Sequence, residues 1–136
     1  NGRNGISAGD AAAGQPLRLT PATHDELVSR SSHLPHVVAA GLARYVLAPS
    51  HSRQQASLCA SGFRDTTRVA SGSPEMWRDI ALANRRNLSR ALGGFIKDLR
   101  KFQRALDRGD TKAIEKSFNE AKRRRDAWCG RGTSPE

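Results

Sequence analysis

Three histidines that lie close together are the first residues of this sequence that could do chemistry. His33 and His36 flank Pro35 in the stretch SHLPH, and residues three apart share a face of a helix. With His24 they could bind a metal ion, but no HExxH motif and no carboxylate at a ligand spacing accompanies them. Two other interpretations remain open: hydrogen-bonded structural histidines, and histidines that face a ligand pocket.

The stretch FRDTTR places a second candidate group on one helical turn. Arg64 and Arg68 are four residues apart and share a face, and Asp65 is within reach of Arg68. A guanidinium group can bind a carboxylate through two parallel hydrogen bonds. The pattern therefore predicts either a carboxylate-binding site or a solvent-exposed helix with one weak ion pair, worth about 0 to 1 kcal/mol.

Basic residues form a third candidate group, because 23 lysines and arginines against 13 acidic residues give the chain a net charge of +10. Such a surface attracts anions, including nucleic acid. Few aromatic residues alternate with the basic ones, and no known nucleic-acid-reading motif is present, so solvated helix faces are the better interpretation. The main clusters are the run KRRR at 122–125 and Lys97, Arg100, Lys101 and Arg104.

The histidines lie on a long first helix. Thr20 is a typical N-cap residue, and Pro21 fits the first helical position, where its missing N–H costs nothing. The helical pattern then continues to about Ala48. Pro35 falls inside this helix, removes a backbone hydrogen bond to Ser31 and is expected to kink the helix there.

The arginines lie on short helices, and a second long helix follows. The short helical segments 54–60 and 63–70 precede Ser73 and Pro74, which repeat the chemistry of the first helix start. From Pro74, apolar residues at spacings of three and four predict a helix that reaches Arg108. A helix of this length exceeds what so small a domain can cover, so part of it is expected to pack on a second copy of the chain.

These elements predict an all-α fold with a kinked first helix, short connecting helices and one long central helix. Gly109 is expected to end the long helix, and Asp110 to cap a last helix from Thr111 to about Trp128. The predicted divisions are a linker or disordered lead-in at 1–16, a helical domain at 17–128 and a loose tail at 129–136.

Composition sets further limits on the class of protein. Aromatic residues make up only 5% of the chain, which suits an aliphatic, alanine-rich core of packed helices. Cys59 and Cys129 lie far apart without metal-binding spacing, so we expect thiols in a reducing, cytoplasmic compartment. The sequence has no apolar run of about 18 residues that could span a membrane. It also contains no GxGxxG after a strand and no GxxxxGK[ST], so no nucleotide-binding motif is identified.

Two blocks of the sequence resemble the C-terminal helical domain of the prephenate/arogenate dehydrogenase family. They are HDELVSRSSHLPHVVAAGLA at 24–43 and GFRDTTRVASGSPEMWRDIALANRRNL at 62–88. The blocks stand in the order and at the spacing of that family, and the resemblance covers about 17–128. It implies a helical dimerisation and substrate-binding domain. The family's enzymes oxidise prephenate or arogenate with loss of carbon dioxide, a step of tyrosine synthesis.

The resemblance gives the FRDTTR residues roles at a substrate pocket. Arg68 matches the family arginine that binds a substrate carboxylate. Arg64 and Asp65 match neighbours that form an ionic network at the pocket entrance. A carboxylate-binding arginine agrees with the carboxylate interpretation of this stretch and with an anionic substrate.

The resemblance also moves the SHLPH motif towards the pocket interpretation. His36 matches a pocket histidine near the substrate. His33 and His24 match family positions too, but the resemblance does not separate a pocket role from a structural one for them. Two further residues match positions that approach the pocket from the partner subunit, namely Trp77 and Met76.

The resemblance further implies a cofactor and partners. Enzymes of the family bind NAD or NADP in an N-terminal Rossmann domain that this sequence does not contain. We therefore expect no catalytic residue, bound cofactor or metal in this chain, and no activity from the chain alone. We expect a homodimer formed through the long helix, prephenate or arogenate as ligand, and binding neither to nucleic acid nor to membranes.

Two alternative functions remain at this point. A basic helical nucleic-acid-binding protein would lose affinity steeply as salt rises. A regulatory dimer that senses tyrosine is the other alternative, because tyrosine resembles the substrate and could occupy the same pocket as a feedback ligand.

Overall fold

The computed structural model describes residues 18–130 of the chain. The predicted lead-in at 1–16 and most of the predicted tail lie outside these residues. Between 18 and 130 the chain is helical and contains no strand, which confirms the all-α prediction. It divides into two compact units, one ending at Leu92 and the other beginning at Gly93.

The first helix is interrupted by a wide turn rather than by a simple kink. Helix α1, Pro21–Val28, is capped as predicted, because the Thr20 hydroxyl accepts a hydrogen bond from the Thr23 N–H at 3.1 Å. A π-helical segment, Ser29–His33, follows and leads directly into α2, Leu34–Val46.

The π-helical segment directly precedes Pro35. Within it, the N–H of Leu34 donates to the carbonyl of Ser29, one residue further back than in an α-helix. Such turns occur where the regular hydrogen-bond ladder is broken, and Pro35 lacks the N–H that the ladder needs. The predicted interruption at Pro35 is thus present as a local widening of the helix.

Short helices follow α2 in the first unit. Helix α3 covers Arg53–Ser57, and α4 covers Ser61–Thr67, so Gly62, which lies between the predicted segments 54–60 and 63–70, is inside a helix. A 3₁₀ segment, Arg68–Ser71, continues directly from α4. Both α4 and this 3₁₀ segment pack against α2. This packing holds the FRDTTR stretch beside the helix that contains His36.

The predicted helix from Pro74 to Arg108 is divided at Asn84. Helix α5, Pro74–Ala83, begins with the predicted cap, because the Ser73 hydroxyl accepts a hydrogen bond from the Met76 N–H at 3.3 Å. Asn84 leaves the helical conformation with φ −117° and ψ 29°. The long central helix is α6, Arg85–Asp107, with 23 residues. The prediction of a long helix is confirmed, but the prediction of its unbroken start at Pro74 is wrong.

The second unit consists of the later part of α6 and helix α7, Thr111–Gly130. Gly109 has a φ of +61°, a conformation that favours glycine, and it ends the preceding helix as predicted. Asp110 caps α7 by accepting a hydrogen bond from the Ala113 N–H at 3.1 Å. Helix α7 extends slightly beyond the predicted end at Trp128.

Little apolar surface is fully buried in the part of the chain that the structure describes. There, Ala39, Leu88 and Ala105 are the only buried hydrophobic residues. In the second unit Leu99 and Phe118 keep 50% and 65% of their surface exposed. They line an open groove of about 680 Å³. An exposed apolar groove of this kind is typical of a surface that another chain covers.

Over residues 18–130, none of the helices combines the length and the apolar character that crossing a membrane requires.

Candidate functional site

A cavity of about 320 Å³ lies in the first unit and is lined mainly by α2, α5 and the residues that precede α5. Most of its lining is apolar, including Val37, Ile80 and Leu88. The polar part includes His33, His36 and Arg44. An apolar pocket with a few convergent polar groups is typical of a small-molecule site, and this volume is at the lower end for such sites.

Trp77 connects the two histidines of the SHLPH motif. Its indole stacks on the His36 ring, with the ring centroids 3.6 Å apart and the planes at 13°. The His33 ring meets the same indole edge-on, with a centroid distance of 6.2 Å. The resemblance implied that Trp77 approaches a pocket from the partner subunit, and in the structure Trp77 lines the cavity of its own chain. These contacts join residues from the two sequence blocks 24–43 and 62–88.

Burial of the His36 ring lowers its pKa from the ordinary value of 6.5. The charged imidazolium loses more hydration than the neutral ring when water is excluded, so burial favours the neutral form. His36 is therefore neutral near pH 7. A neutral ring can lie flat on the indole and still offer one donor and one acceptor nitrogen.

The lowered pKa predicts a pH dependence of stability. Below pH 6.5 the unfolded chain binds a proton at His36 more readily than the folded chain does. The free energy of unfolding should therefore fall as the pH falls from 6.5 through the lowered pKa of the folded state. Urea denaturation of wild type and His36→Gln across this range measures the effect.

The His36→Gln variant is expected to show a smaller decrease of stability on acidification. His51→Gln removes an exposed histidine outside the cavity lining and is the matched control. An equal change of the pH profile in both variants would contradict the assignment to His36.

Asn84 holds His33 in place, and sequence reasoning did not identify it as a site residue. Its side-chain amide nitrogen lies 3.2 Å from His33 Nδ1 and donates to the Asp25 carbonyl at 2.8 Å. Its amide oxygen accepts a hydrogen bond from the Asn87 side chain at 2.9 Å. The sequence did contain a signal, because Asn84 is a polar residue at an apolar position of the predicted helical pattern.

Gly72 allows the close packing at the cavity wall. A Cβ atom at this position would lie 3.1 Å from Trp77 Nε1 and 3.3 Å from His36 Cε1. These distances are shorter than ordinary van der Waals contact, so an alanine would push against the stacked pair.

Gly72→Ala is expected to lower the free energy of unfolding by about 1 kcal/mol, because the added methyl group overpacks the stacked rings. Gly62→Ala is the matched control. Nothing lies within 4 Å of a Cβ atom at Gly62, which is helical, so alanine there should be neutral or stabilise by roughly 0.5 kcal/mol. Thermal or urea denaturation compares the two, and equal effects would show that the close contact at Gly72 carries no cost.

The predicted arginine group is not part of the cavity lining. Arg64, Asp65 and Arg68 are exposed, and within residues 18–130 none of them forms an ion pair. The local Asp65–Arg68 pair allowed by their spacing is therefore not formed. Arg68 begins the 3₁₀ segment whose Ala70 lines the cavity. The side chain of Arg68 is thus two residues from the cavity lining along the chain, and it has no acidic partner within residues 18–130.

Two other predicted residues lie outside the cavity lining. Met76 is 51% exposed on the first turn of α5. His24 is exposed, lies 3.5 Å from the Asp25 carboxylate and is not among the residues that line the cavity. Conversely, Arg44 lines the cavity from the last turn of α2, although the sequence reasoning did not select it.

A metal centre is not indicated by the geometry of this region. Across residues 18–130, no three or more His, Cys, Asp or Glu side chains are grouped so that they could hold a metal ion.

Comparison with known proteins identifies a match over most of the described chain. Residues 20–120 match the family model described as prephenate dehydrogenase, dimerization domain. The chain is 36% identical over 114 residues to the prephenate dehydrogenase of Bacillus subtilis (strain 168), covering 81% of this chain and 30% of that protein. The chain therefore spans about a third of the length of such relatives.

Solved structures show the same helical arrangement. The crystal structure of Synechocystis arogenate dehydrogenase matches with a TM-score of 0.77 and 29% identity, covering 85% of this chain and 43% of that one. The structure of prephenate dehydrogenase from A. aeolicus in complex with hydroxyphenyl propionate and NAD+ matches with a TM-score of 0.71 and 33% identity. That match covers 80% of this chain and 38% of the A. aeolicus chain.

Proposed function

The chain belongs to the prephenate dehydrogenase family, in its dimerization domain, and from this premise we propose that it is the dimerising and substrate-binding part of a prephenate or arogenate dehydrogenase. The complete enzyme would carry out the NAD- or NADP-dependent oxidative decarboxylation of that substrate in tyrosine synthesis, in the cytoplasm. The observation that carries the proposal is the cavity where His33, His36 and Trp77 meet.

The cavity suits a small ring that carries a carboxylate. Apolar side chains and the Trp77 indole offer surfaces for the ring, and two histidines offer hydrogen bonds to its oxygen atoms. A carboxylate requires a cation, and Arg68 is proposed to supply it, because it begins the segment that reaches the cavity at Ala70 and has no competing acidic partner within residues 18–130. Arg44 adds a second positive charge to the lining.

Three further residues are proposed to act at the border of the site. Arg64 and Asp65 lie on α4, just before Arg68, and are proposed to form an ionic network at the entrance of the pocket. Met76 is exposed beside Trp77, so it is available to a partner subunit.

The proposed homodimer forms through α6, which has half-exposed leucines on its surface.

The residues from 18 to 130 do not fit a dinucleotide cofactor. A dinucleotide site needs a glycine-rich turn between a strand and a helix, and this part of the chain has no strand. NAD or NADP is therefore proposed to bind the part of the enzyme that corresponds to the remaining length of the relatives. The role proposed for the present chain is to bind and orient the substrate.

Tyrosine is proposed as a second ligand of the same cavity. It combines an aromatic ring with a carboxylate, which are the two features that the apolar lining and the arginines can recognise. Tyrosine would then act as a competitor of the substrate.

A fusion protein tests the proposed activity. In it, the chain replaces the matching segment of the Bacillus subtilis prephenate dehydrogenase. With NAD+ and either prephenate or arogenate, the fusion is expected to form NADH and carbon dioxide, whereas the isolated chain is expected to form neither. A fusion that is folded and dimeric, and that binds NAD+ but turns over neither prephenate nor arogenate, would contradict the proposed function.

A further inference from the structure

The Asn84 side chain joins three parts of the first unit at one point. Its amide group faces the Asp25 carbonyl of α1, the His33 ring of the π-helical segment and the Asn87 side chain of α6. Asn84 itself occupies the break between α5 and α6. The break in the helix therefore places a polar side chain where it can reach residues far away in sequence.

The hydrogen bonds of Asn84 fix which way its amide points. The Asp25 backbone carbonyl can only accept a hydrogen bond, so the group at 2.8 Å from it must be the NH₂. The same NH₂ lies 3.2 Å from His33 Nδ1, while the amide oxygen accepts from Asn87. A nitrogen that receives a hydrogen bond from an amide cannot also carry a proton.

We propose that Asn84 is a positioning residue of the cavity, which holds His33 in the neutral tautomer protonated on Nε2 so that this N–H can donate to an oxygen atom of the bound ligand. The tautomer is set by the partner of the other ring nitrogen. The ligand part of this inference rests on the proposed function, but the tautomer part does not.

The charged groups near His33 do not favour a proton on Nδ1 over one on Nε2. The Asp25 carboxylate lies 3.5 Å from His24, and the carbonyl of Asp25, not its carboxylate, contacts Asn84. The other titratable groups that line the cavity are His36 and Arg44. Neither is a carboxylate that could stabilise a proton on His33 Nδ1.

The first test is the nitrogen NMR spectrum of the His33 ring in the wild-type protein. We expect the pattern of a protonated Nε2 and an unprotonated Nδ1 at about pH 8, where histidine is ordinarily neutral. The opposite tautomer, or an equal mixture of the two, would overturn the proposal. This measurement needs no variant, so it does not depend on whether a substitution at Asn84 still folds.

The second test uses Asn84→Asp, because a carboxylate beside Nδ1 can only accept a hydrogen bond. We expect the His33 proton to move to Nδ1 and the affinity for hydroxyphenylpropionate at about pH 8 to fall by about tenfold, since Nε2 can no longer donate. In solution acidic enough for the nitrogen spectrum to show both ring nitrogens of His33 protonated, Nε2 can donate again, so the affinity should recover towards that of wild type. A loss caused only by disturbed packing would not recover on acidification.

Asn119→Asp is the matched control, because it makes the same charge change at an exposed residue of α7 outside the cavity. Equal affinities of Asn84→Asp and Asn119→Asp at every pH would overturn the ligand part of the proposal. A wild-type protein that does not bind hydroxyphenylpropionate would count against the proposed function, and the nitrogen spectrum would still decide the role of Asn84.

Discussion

Thermal unfolding of the chain is expected to shift to higher temperature as the protein concentration rises. Within residues 18–130 only three hydrophobic residues are buried, while Leu99, Leu106 and Phe118 remain half or more exposed. A dimer that covers such surface is stabilised by mass action, by about 1.4 kcal/mol for each tenfold rise in concentration. The midpoint should rise by roughly 2–4 °C for that rise.

Leu99→Lys is expected to remove most of this concentration dependence. Leu99 lines the groove of the second unit, and replacing it by lysine should cost about 2 kcal/mol in each copy, because an apolar contact is lost and a charge must be desolvated. A symmetric dimer carries the change twice, so its dissociation constant should rise by about three orders of magnitude. Sedimentation equilibrium measures that constant directly.

Asn119→Lys is the control for the added charge, because Asn119 is exposed on α7 and does not line the groove. This variant should remain as dimeric as wild type. If wild type sediments as a monomer at all concentrations, or if both variants dissociate equally, the second unit does not form the dimer as proposed.

Arg68→Gln is expected to weaken the binding of hydroxyphenylpropionate by about 10- to 100-fold. A hydrogen bond between charged groups contributes about 1.5–3 kcal/mol, and glutamine keeps a shorter polar side chain without the charge. Arg68→Lys should fall between wild type and Arg68→Gln, since lysine keeps the charge but not the two-pronged geometry. Titration calorimetry provides the affinities.

Two further arginine variants decide whether this effect is specific. Arg90→Gln removes an exposed arginine of α6 that lies outside the cavity lining, and it should leave the affinity unchanged. Arg44→Gln removes the arginine in the lining. If Arg44→Gln weakens binding and Arg68→Gln does not, the carboxylate is bound by Arg44 and the role proposed for Arg68 is wrong.

The sequence predicted the parts of the fold that depend on neighbouring residues. The caps at Thr20, Ser73 and Asp110 and the helix end at Gly109 are all present. Each depends on interactions within a few residues, such as a side-chain oxygen that accepts from a backbone N–H three residues later. Such interactions can be recognised from spacing alone.

The features that the sequence did not predict depend on contacts between distant residues. The helix breaks at Asn84, whose side chain donates to Asp25, 59 residues earlier in the chain. The regular spacing of apolar residues on both sides gave no sign of this break. At Pro35 the sequence predicted an interruption, but not that the helix would widen into a π-turn.

The candidate site was only partly predictable for the same reason. The resemblance identified His33, His36 and Trp77, and the structure brings them to one cavity. Spacing also suggested an Asp65–Arg68 ion pair, but both side chains are exposed, where water competes and such a pair contributes little. Arg44 entered the cavity lining through the packing of α2, which no local pattern revealed.

The most direct test of the central claim is an NMR titration with hydroxyphenylpropionate that follows the indole N–H signals. The chain has two tryptophans, so Trp128, which is 68% exposed in the second unit, is an internal control for Trp77. The Trp77 signal is predicted to shift saturably while the Trp128 signal stays unchanged. A Trp77 signal that does not move, or equal shifts of both signals, would contradict a substrate site at the cavity formed with His33 and His36.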